Sequence, residues 1–341
     1  MAETTHRYNA GVQRAKGLLE MASALYDTSL SEETVRAGVH QVDSRVGTGL
    51  SLTIEATPGR MRNAVSISFA AGGFRSALES VARRELSVLW INPSVALTMA
   101  HAGKGPFSAP LPLRALAVFP SWDVMGFAVH ESTGITSLAE IAEKQVPLHL
   151  STRHTTRPPF DEDTTMFTVD AVLAAAGFSL DNIREWGGDI QAVARPSDPA
   201  RMSGIESGSV NAVFDEGIKS WTQTALEHGF RFLPIDGPAQ ERLVALGFRR
   251  ATLSPSRFPA LPQEVPTVDF SGWPMVVHAD MPDEVAYALC EAIALRTEAI
   301  PTDNGRPVDL AQLCGDDEEA PLDVPLHPGA ERFYREGGYL K

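Results

Sequence analysis

The chain has 341 residues, 43% apolar and 21% charged, a mixture that builds a globular core and argues against wholesale disorder. Its 29 Lys and Arg stand against 43 Asp and Glu, a net charge of −14. That balance argues against the basic footprint a nucleic acid or an anionic membrane needs, but leaves room for a local positive pocket around a small anion. The length asks for two units, because single cores stop growing at roughly 250–300 residues. The two cysteines, Cys290 and Cys314, are too few for a disulfide scaffold or a Cys-based zinc site, and either pair or stay free.

At the start, Val12, Ala15, Leu18, Leu19, Ala22, Leu25 and Tyr26 recur at helical spacing, interrupted by Arg14, Lys16 and Glu20. This reads as an amphipathic helix rather than a secretory leader. The expected location is therefore cytoplasmic, with a periplasmic one as the alternative if a leader has been removed. No run approaches the roughly 18 apolar residues of a membrane span, so no direct membrane insertion is expected. Glu32–Val42 reads as a second helical stretch, and LSLTIEATPGR as hairpin-like.

Further on, strands and helices alternate. Val65–Ala70 predicts a buried strand, then Gly72 and Gly73, then a helix from about Phe74 to Arg84. Leu86–Ile91 predicts a strand, and Asn92-Pro93-Ser94 opens a helix with Pro93 in its first turn. Strands follow at Leu113–Phe119 and Gly126–His130, on either side of a break at Pro120–Asp123. A short helix at Ser137–Glu143 is capped by Thr136 or Ser137, with Glu140 at capping-box spacing. Val146–Leu150 is a strand and Thr165–Ala176 a helix stopped by Gly177. Then come a helix at Met202–Gly208, a strand at Ala212–Phe214, a helix at Ile218–His228, a strand at Phe230–Pro234 and a helix at Ala239–Leu246. Met275–His278 is a strand, followed by a long helix from Asp283 to Glu298. The alternation predicts an α/β fold with mainly parallel sheets. Ligands of such sheets sit beyond the carboxyl ends of strands, which selects the loops at 70–74, 92–95, 151–165 and 215–217.

Five stretches in this order resemble the type II periplasmic binding proteins, in particular the TAXI class of TRAP-transporter solute receptors. They are AAGGFRSALESVARRELSVLWINPSVAL, RALAVFPSWDVMGFAVHESTGITSLAEIAEKQVPL, TTMFTVDAVLAAAGFSLDNI, VDFSGWPMVVHADMPDEVAYALCEAIA and VPLHPGAERFYREGGYLK. The resemblance covers roughly three quarters of the chain. It implies two lobes, 1–122 plus 262–341 and 123–261, joined by a hinge and closing over a ligand cleft between them. It departs from the family pattern over the first sixty residues. It departs again where STRHTTRPPFDEDTT replaces a short Gly-Ser-Gly-Thr loop.

On this reading the candidate ligand-binding residues are Gly72, Gly73, Trp90, Asn92, Ser94, Trp122, Ser151, Arg153, Thr164, Thr165 and Asp215. The loop at 151–165 runs into a helix start, whose free N–H groups favour an anion, with Thr164 or Thr165 as the cap. Arg153, with His154 and Arg157 beside it, offers a planar fork for a carboxylate; the other use of these arginines is pairing with Asp161, Glu162 and Asp163. That acidic run is either helix-start charge or part of a calcium site. Asp215 and Glu216 end a strand, where they can hold a ligand amine or hydroxyl, serve as acid or base, or face solvent. Trp90 and Trp122 are either core or a wall against an aromatic ligand, and Trp90 and Asn92 share a side if the strand continues. His327 in LHPG reads as a structural turn.

No GxGxxG, GK[ST], HExxH or GxSxG motif occurs, and His149 and His154 lack metal spacing, so neither a cofactor nor a metal is expected. The resemblance implies capture of an organic acid or amino acid by its carboxylate, with a TRAP membrane component as partner if the protein is exported, and no nucleic acid is expected. The alternative is a cytosolic enzyme on the same fold, a decarboxylase or dehydratase.

Overall fold

A computed structural model describes residues 10–28, 51–56, 65–153 and 163–341. In chain order the elements are α1 (Ala10–Thr28), β1 (Ser51–Ala56), β2 (Val65–Ala71), α2 (Arg75–Ala82), β3 (Val88–Trp90), α3 (Ser94–Ala102), β4 (Leu113–Phe119) and β5 (Gly126–His130). Next are α4 (Leu138–Lys144), β6 (His149–Arg153), α5 (Thr164–Ala176), α6 (Leu180–Glu185), β7 (Asp189–Val193), α7 (Pro199–Ser207), β8 (Ala212–Asp215) and α8 (Thr222–Glu227). The chain continues with β9 (Phe230–Leu233), α9 (Gly237–Leu246), β10 (Arg250–Leu253), β11 (Val265–Val268) and β12 (Trp273–His278). It ends with α10 (Asp283–Ala294), α11 (Leu310–Leu313) and α12 (Pro328–Glu336).

The chain divides into two compact units, Met1–Trp122 with Ser271–Lys341, and Asp123–Phe270. The second boundary falls after β11, because β11 pairs antiparallel with β10 and stays with the unit that holds it. The sequence reading puts this boundary at 261/262.

Unit 1 carries a five-stranded sheet in the order β1-β2-β3-β12-β4. Unit 2 carries one in the order β7-β6-β8-β5-β9. The expectation of mainly parallel sheets is corrected. Among the described residues only β2–β3, β6–β7 and β6–β8 run parallel. The reason lies in β5 and β12, the first strands after each boundary, which insert antiparallel to both of their neighbours. Repeated strand–helix–strand steps keep one direction, and the two crossings reverse it.

In unit 1, Leu18, Met21 and Leu25 of α1 are buried against the sheet core of Phe69, Trp90, Phe119 and Met275 and against α10. Leu19, expected on that face, is 48% exposed. Arg14 lies on the buried side instead, with its guanidinium 5.3 Å from the Trp273 ring centre. In unit 2, Phe127 and Phe214 meet across β5 and β8 with ring centres 4.9 Å apart. Leu150, Val172, Leu173 and Ile205 are also buried in this unit.

Local signals explain most boundaries. Ser137 is the cap of α4, accepting the Glu140 N–H at 3.4 Å, while the Glu140 carboxylate accepts the Thr136 N–H at 3.2 Å, one residue before the cap, instead of closing the capping box. Gly177 closes α5 at φ 92°. The strand expected at Val146–Leu150 starts at His149, since Pro147 has no N–H for a ladder. The helix expected over Ile218–His228 breaks into a 3-10 turn (Ile218–Ser220) and α8. There the Asp123 carboxylate takes the Ile218 N–H, and the Trp221 indole turns back to the Glu216 carbonyl. Pro93 precedes α3 instead of entering its first turn, and the Asn92–Pro93 bond is cis. The last long helix stops at Ala294. Of the stretch 50–60 read as hairpin-like, Ser51–Ala56 is one strand whose antiparallel partner is β2, outside that stretch, and residues 57–60, like the helix expected at Glu32–Val42, lie outside the described residues. Cys290 and Cys314 are both free and buried.

Candidate functional site

In unit 2, β6 and β8 run parallel with Ser151 opposite Val213 and Thr152 opposite Phe214. One step further on, at the carboxyl ends, Arg153 comes level with Asp215. Alternation then turns Ser151, Arg153 and Asp215 to one face, while Thr152 turns away and donates to the Phe214 carbonyl at 2.6 Å.

Arg201 lies against that face. This fully buried residue of α7 donates from Nε to Ser151 Oγ at 3.1 Å, and its Nη1 reaches the Pro196 carbonyl at 3.1 Å. From Nη2 it donates to Asp215 Oδ2 at 2.7 Å. The Trp221 ring lies 6.0 Å from its guanidinium carbon. The sequence reading missed Arg201 because it started the helix at Met202. The signal was its place one turn before buried Ile205, on the apolar face of the helix, where a guanidinium needs a buried carboxylate.

Arg153 ion-pairs with Glu216 and stands 3.7 Å from Asp215 Oδ2 through Nε. That Nε is buried and has no hydrogen-bond partner among the described residues. Burial pulls the Arg153 guanidinium down, but Asp215 and Glu216 outweigh it and hold it above its ordinary value.

The sequence reading also omitted Asp123 as a site residue. Its carboxylate accepts backbone N–H groups from Val124 (2.9 Å), Gly217 (2.8 Å) and Ile218 (3.2 Å). Gly217 makes this turn possible. Its φ is 63°, and a Cβ there would meet Pro196 at 2.3 Å. Burial lifts Asp123 to about 6, although three backbone N–H groups and Lys219 oppose the rise. Burial likewise lifts Glu216 to about 8; Arg153 opposes it, and Asp215 and Asp123 add to it.

Thr164 and Thr165 sit buried in the first turn of α5, but neither is the cap. Asp163 is, accepting the Met166 N–H at 3.0 Å, because a carboxylate in extended backbone just before the first turn reaches that donor. Its charge also acts on Arg153. His154, Arg157, Asp161 and Glu162 lie outside the described residues.

The remaining candidates belong to unit 1. Gly72 and Gly73 have φ of 87° and 81°, and the Gly72 N–H reaches the Trp90 carbonyl at 3.0 Å. Trp90 packs in the core. It is fully buried, its indole N–H donates to the Trp273 carbonyl at 3.0 Å, and its ring centre lies 4.3 Å from that of Phe119. β3 ends at Trp90, so alternation does not extend to the half-buried Asn92. Ser94 is buried beside Gly272, lining a depression of about 160 Å³ with Leu97, Thr98, Pro274 and Asp323. Trp122, the last residue before the first boundary, is 6% exposed. His327 caps α12, accepting the Gly329 N–H at 3.2 Å, as its turn reading expects.

Among the described residues, no group of three or more His, Cys, Asp and Glu is placed to hold a metal, and no helix is long and apolar enough to cross a membrane.

A family model described as the NMT1-like family matches residues 219–338. Among similar solved structures is PhnD1 from Prochlorococcus marinus in complex with methylphosphonate, at 10% identity and TM-score 0.38, covering 78% of this chain and 83% of that one. Another is a binding protein component of an ABC phosphonate transporter from Pseudomonas aeruginosa, at 10% identity and TM-score 0.34, covering 63% and 58%. A third, described as a periplasmic transporter, is 16% identical with TM-score 0.32, and covers 76% of each chain.

Proposed function

We propose that this chain is a small-molecule binding protein of the TAXI solute-receptor type that its sequence resembles, taking an organic acid or amino acid by its carboxylate. Arg153 is the anchor, and a TRAP membrane component is the partner. One observation carries the reading. Arg153 stands at the end of β6, mostly buried, with an Nε that lacks a hydrogen-bond partner among the described residues and with the start of α5 close enough for Asp163 to act on it. A guanidinium fork and the free N–H groups of a helix start both favour a carboxylate.

A thermal-shift screen with acetate, phenylacetate, an amino acid and methylphosphonate tests it. A carboxylate is expected to raise the melting temperature of the native protein and to leave that of Arg153→Ala unmoved. An equal shift in the variant removes Arg153 from the site, and a response to methylphosphonate alone replaces carboxylate with phosphonate. Ligand uptake into vesicles carrying a TRAP membrane component, dependent on this protein, tests the partner.

One observation favours a second reading, an enzyme acting on a carboxylic acid. A carboxyl group kept protonated near neutral pH, as burial does for Glu216, is what a general acid requires. Release of carbon dioxide or water from an acid incubated with the protein would support it.

A further inference from the structure

Among the described residues His327 is the only histidine with no exposed surface, and it stands where the last helix begins. Its backbone N–H donates to the Ala115 carbonyl at 2.8 Å, and the Ala115 N–H donates to the Pro325 carbonyl at 3.2 Å, so the approach to α12 is tied to β4. Its ring then caps α12, with Nδ1 accepting the Gly329 N–H at 3.2 Å. A backbone N–H can only donate, so this bond requires Nδ1 without a proton and a neutral ring protonated at Nε2. That Nε2 is buried and makes no hydrogen bond of ordinary geometry among the described residues.

The cap sits in a tight place. A Cβ on Gly329 would meet the Asp283 carbonyl oxygen at 2.2 Å, so the first turn of α12 lies directly on the first residue of α10. Further along, Arg332 pairs with Glu284 at 2.9 Å, the Tyr287 hydroxyl donates to Glu336 at 3.0 Å, and Tyr334 is fully buried. Gly329 is itself buried, so solvent is poorly placed to take over its N–H once the acceptor is lost.

We infer that His327 is an acid-sensitive latch on the C-terminal helix: neutral, it caps α12 and holds its first turn against α10, and protonated, it lets that turn go. The added proton occupies the acceptor that the Gly329 N–H uses and sets two N–H groups face to face. A carboxylate is at hand, since Asp283 Oδ1 lies 3.9 Å from the same nitrogen on a side chain that is 56% exposed. Nδ1 cannot serve both the Gly329 N–H and the Asp283 carboxylate. The charged ring therefore trades the cap for the ion pair, which draws it toward solvent.

Burial disfavours the charged ring most; Asp283 of α10 favours it, and Arg114 of β4 opposes it. The other charges on the neighbouring elements are engaged elsewhere. Glu284 of α10 is taken by Arg332, and Glu331 of α12 by Arg335. In the turn between β12 and α10, Asp280 pairs with Arg84, and His278 accepts the Asp280 N–H at 2.9 Å. Burial outweighs Asp283 and holds the His327 ring below its ordinary value. The unfolded chain takes this proton near pH 6.5, and the folded one only at lower pH. The stability that the cap confers is thus complete above the unfolded value and is lost as pH falls from there through the folded one.

His327→Asn tests the latch, because an asparagine carbonyl caps a helix and takes no proton in this range. In urea titrations between about pH 7.5 and pH 5, the native unfolding constant is expected to rise relative to that of His327→Asn by up to about tenfold per pH unit. Parallel curves overturn the inference. Hydrogen exchange, corrected for its intrinsic pH dependence, locates the effect. Residues 328–336 of the native protein are expected to lose protection on acidification while β4 keeps its own, and an equal loss throughout unit 1 overturns the latch. Should His327→Asn not fold, proton NMR of the native protein decides alone. The His327 ring is expected to titrate below about pH 6.5, together with the Gly329 amide. A ring that titrates with Gly329 unmoved, or that does not titrate before the chain unfolds, overturns it.

Discussion

The site's most costly residue to alter is Arg201, because nothing polar replaces it. Its side chain is wholly buried and so is that of Asp215, and each is the other's main partner. Removing one member of such a pair leaves an uncompensated buried charge, typically at a cost of about 3–5 kcal/mol. Arg201→Ala is thus expected to lower unfolding free energy by about that amount in urea titrations. The double change Arg201→Leu with Asp215→Leu, which removes both charges, is expected to cost clearly less. Equal losses would mean that packing against Trp221, and not charge pairing, is what Arg201 supplies. Of these residues, Ser151, Arg153 and Asp215 were legible as strand-end polar groups. Asp123 was not, since its role depends on a contact 94 residues away; for Arg201 the helix spacing marked a buried face but not the carboxylate 14 residues on that pairs with it.

At the level of elements, the start of α5 is where sequence and structure part most usefully. The hydroxyls of Thr164 and Thr165 are natural caps, and the acidic run before them looks like diffuse helix-start charge. The backbone instead puts Asp163 at the cap, with a φ of −115° and a direct bond to Met166. Asp163→Ala is expected to destabilise unit 2 by about 1 kcal/mol, and Asp163→Asn by much less, as read from unfolding free energies. If Thr164→Ala costs more than Asp163→Ala, the cap belongs to the threonine. Elements with strong apolar periodicity or clear stops, such as β4, β5, α4 and α5, were readable. β7 and α6 were not, because β7 is a short strand with mostly partly exposed residues between Gly188 and a Pro-rich turn, and α6 is little more than one capped turn. The direction of β5 and β12 was also beyond a local reading, since it follows from chain crossings and not from side-chain pattern.

At the scale of the whole molecule, the two units differ in how the chain builds them. Unit 1 is assembled from two separated stretches, and β12 of the second lies between β3 and β4 of the first. Unit 2 is one continuous stretch whose ends meet. Val124 bridges Asp269, the Phe270 N–H reaches the Asp123 carbonyl at 3.0 Å, and the Met125 N–H reaches the Val268 carbonyl at 3.1 Å. A segment with adjacent ends, its own sheet and its own buried core has what independent folding requires. The fragment Asp123–Phe270, expressed alone, is therefore expected to unfold in one cooperative transition by circular dichroism and to retain the Arg201–Asp215 pair. Arg201→Ala should destabilise the fragment as much as it destabilises unit 2 within the full chain, because the pair and its partners Ser151, Pro196 and Trp221 all lie inside the segment. A broad, non-cooperative melt would show that unit 2 depends on the rest of the chain. A cooperative melt insensitive to Arg201→Ala would show that the charge cluster forms only there. A fragment of unit 1 lacking Ser271–Lys341 is the matched control, expected to fail because its sheet would lose the strand between β3 and β4.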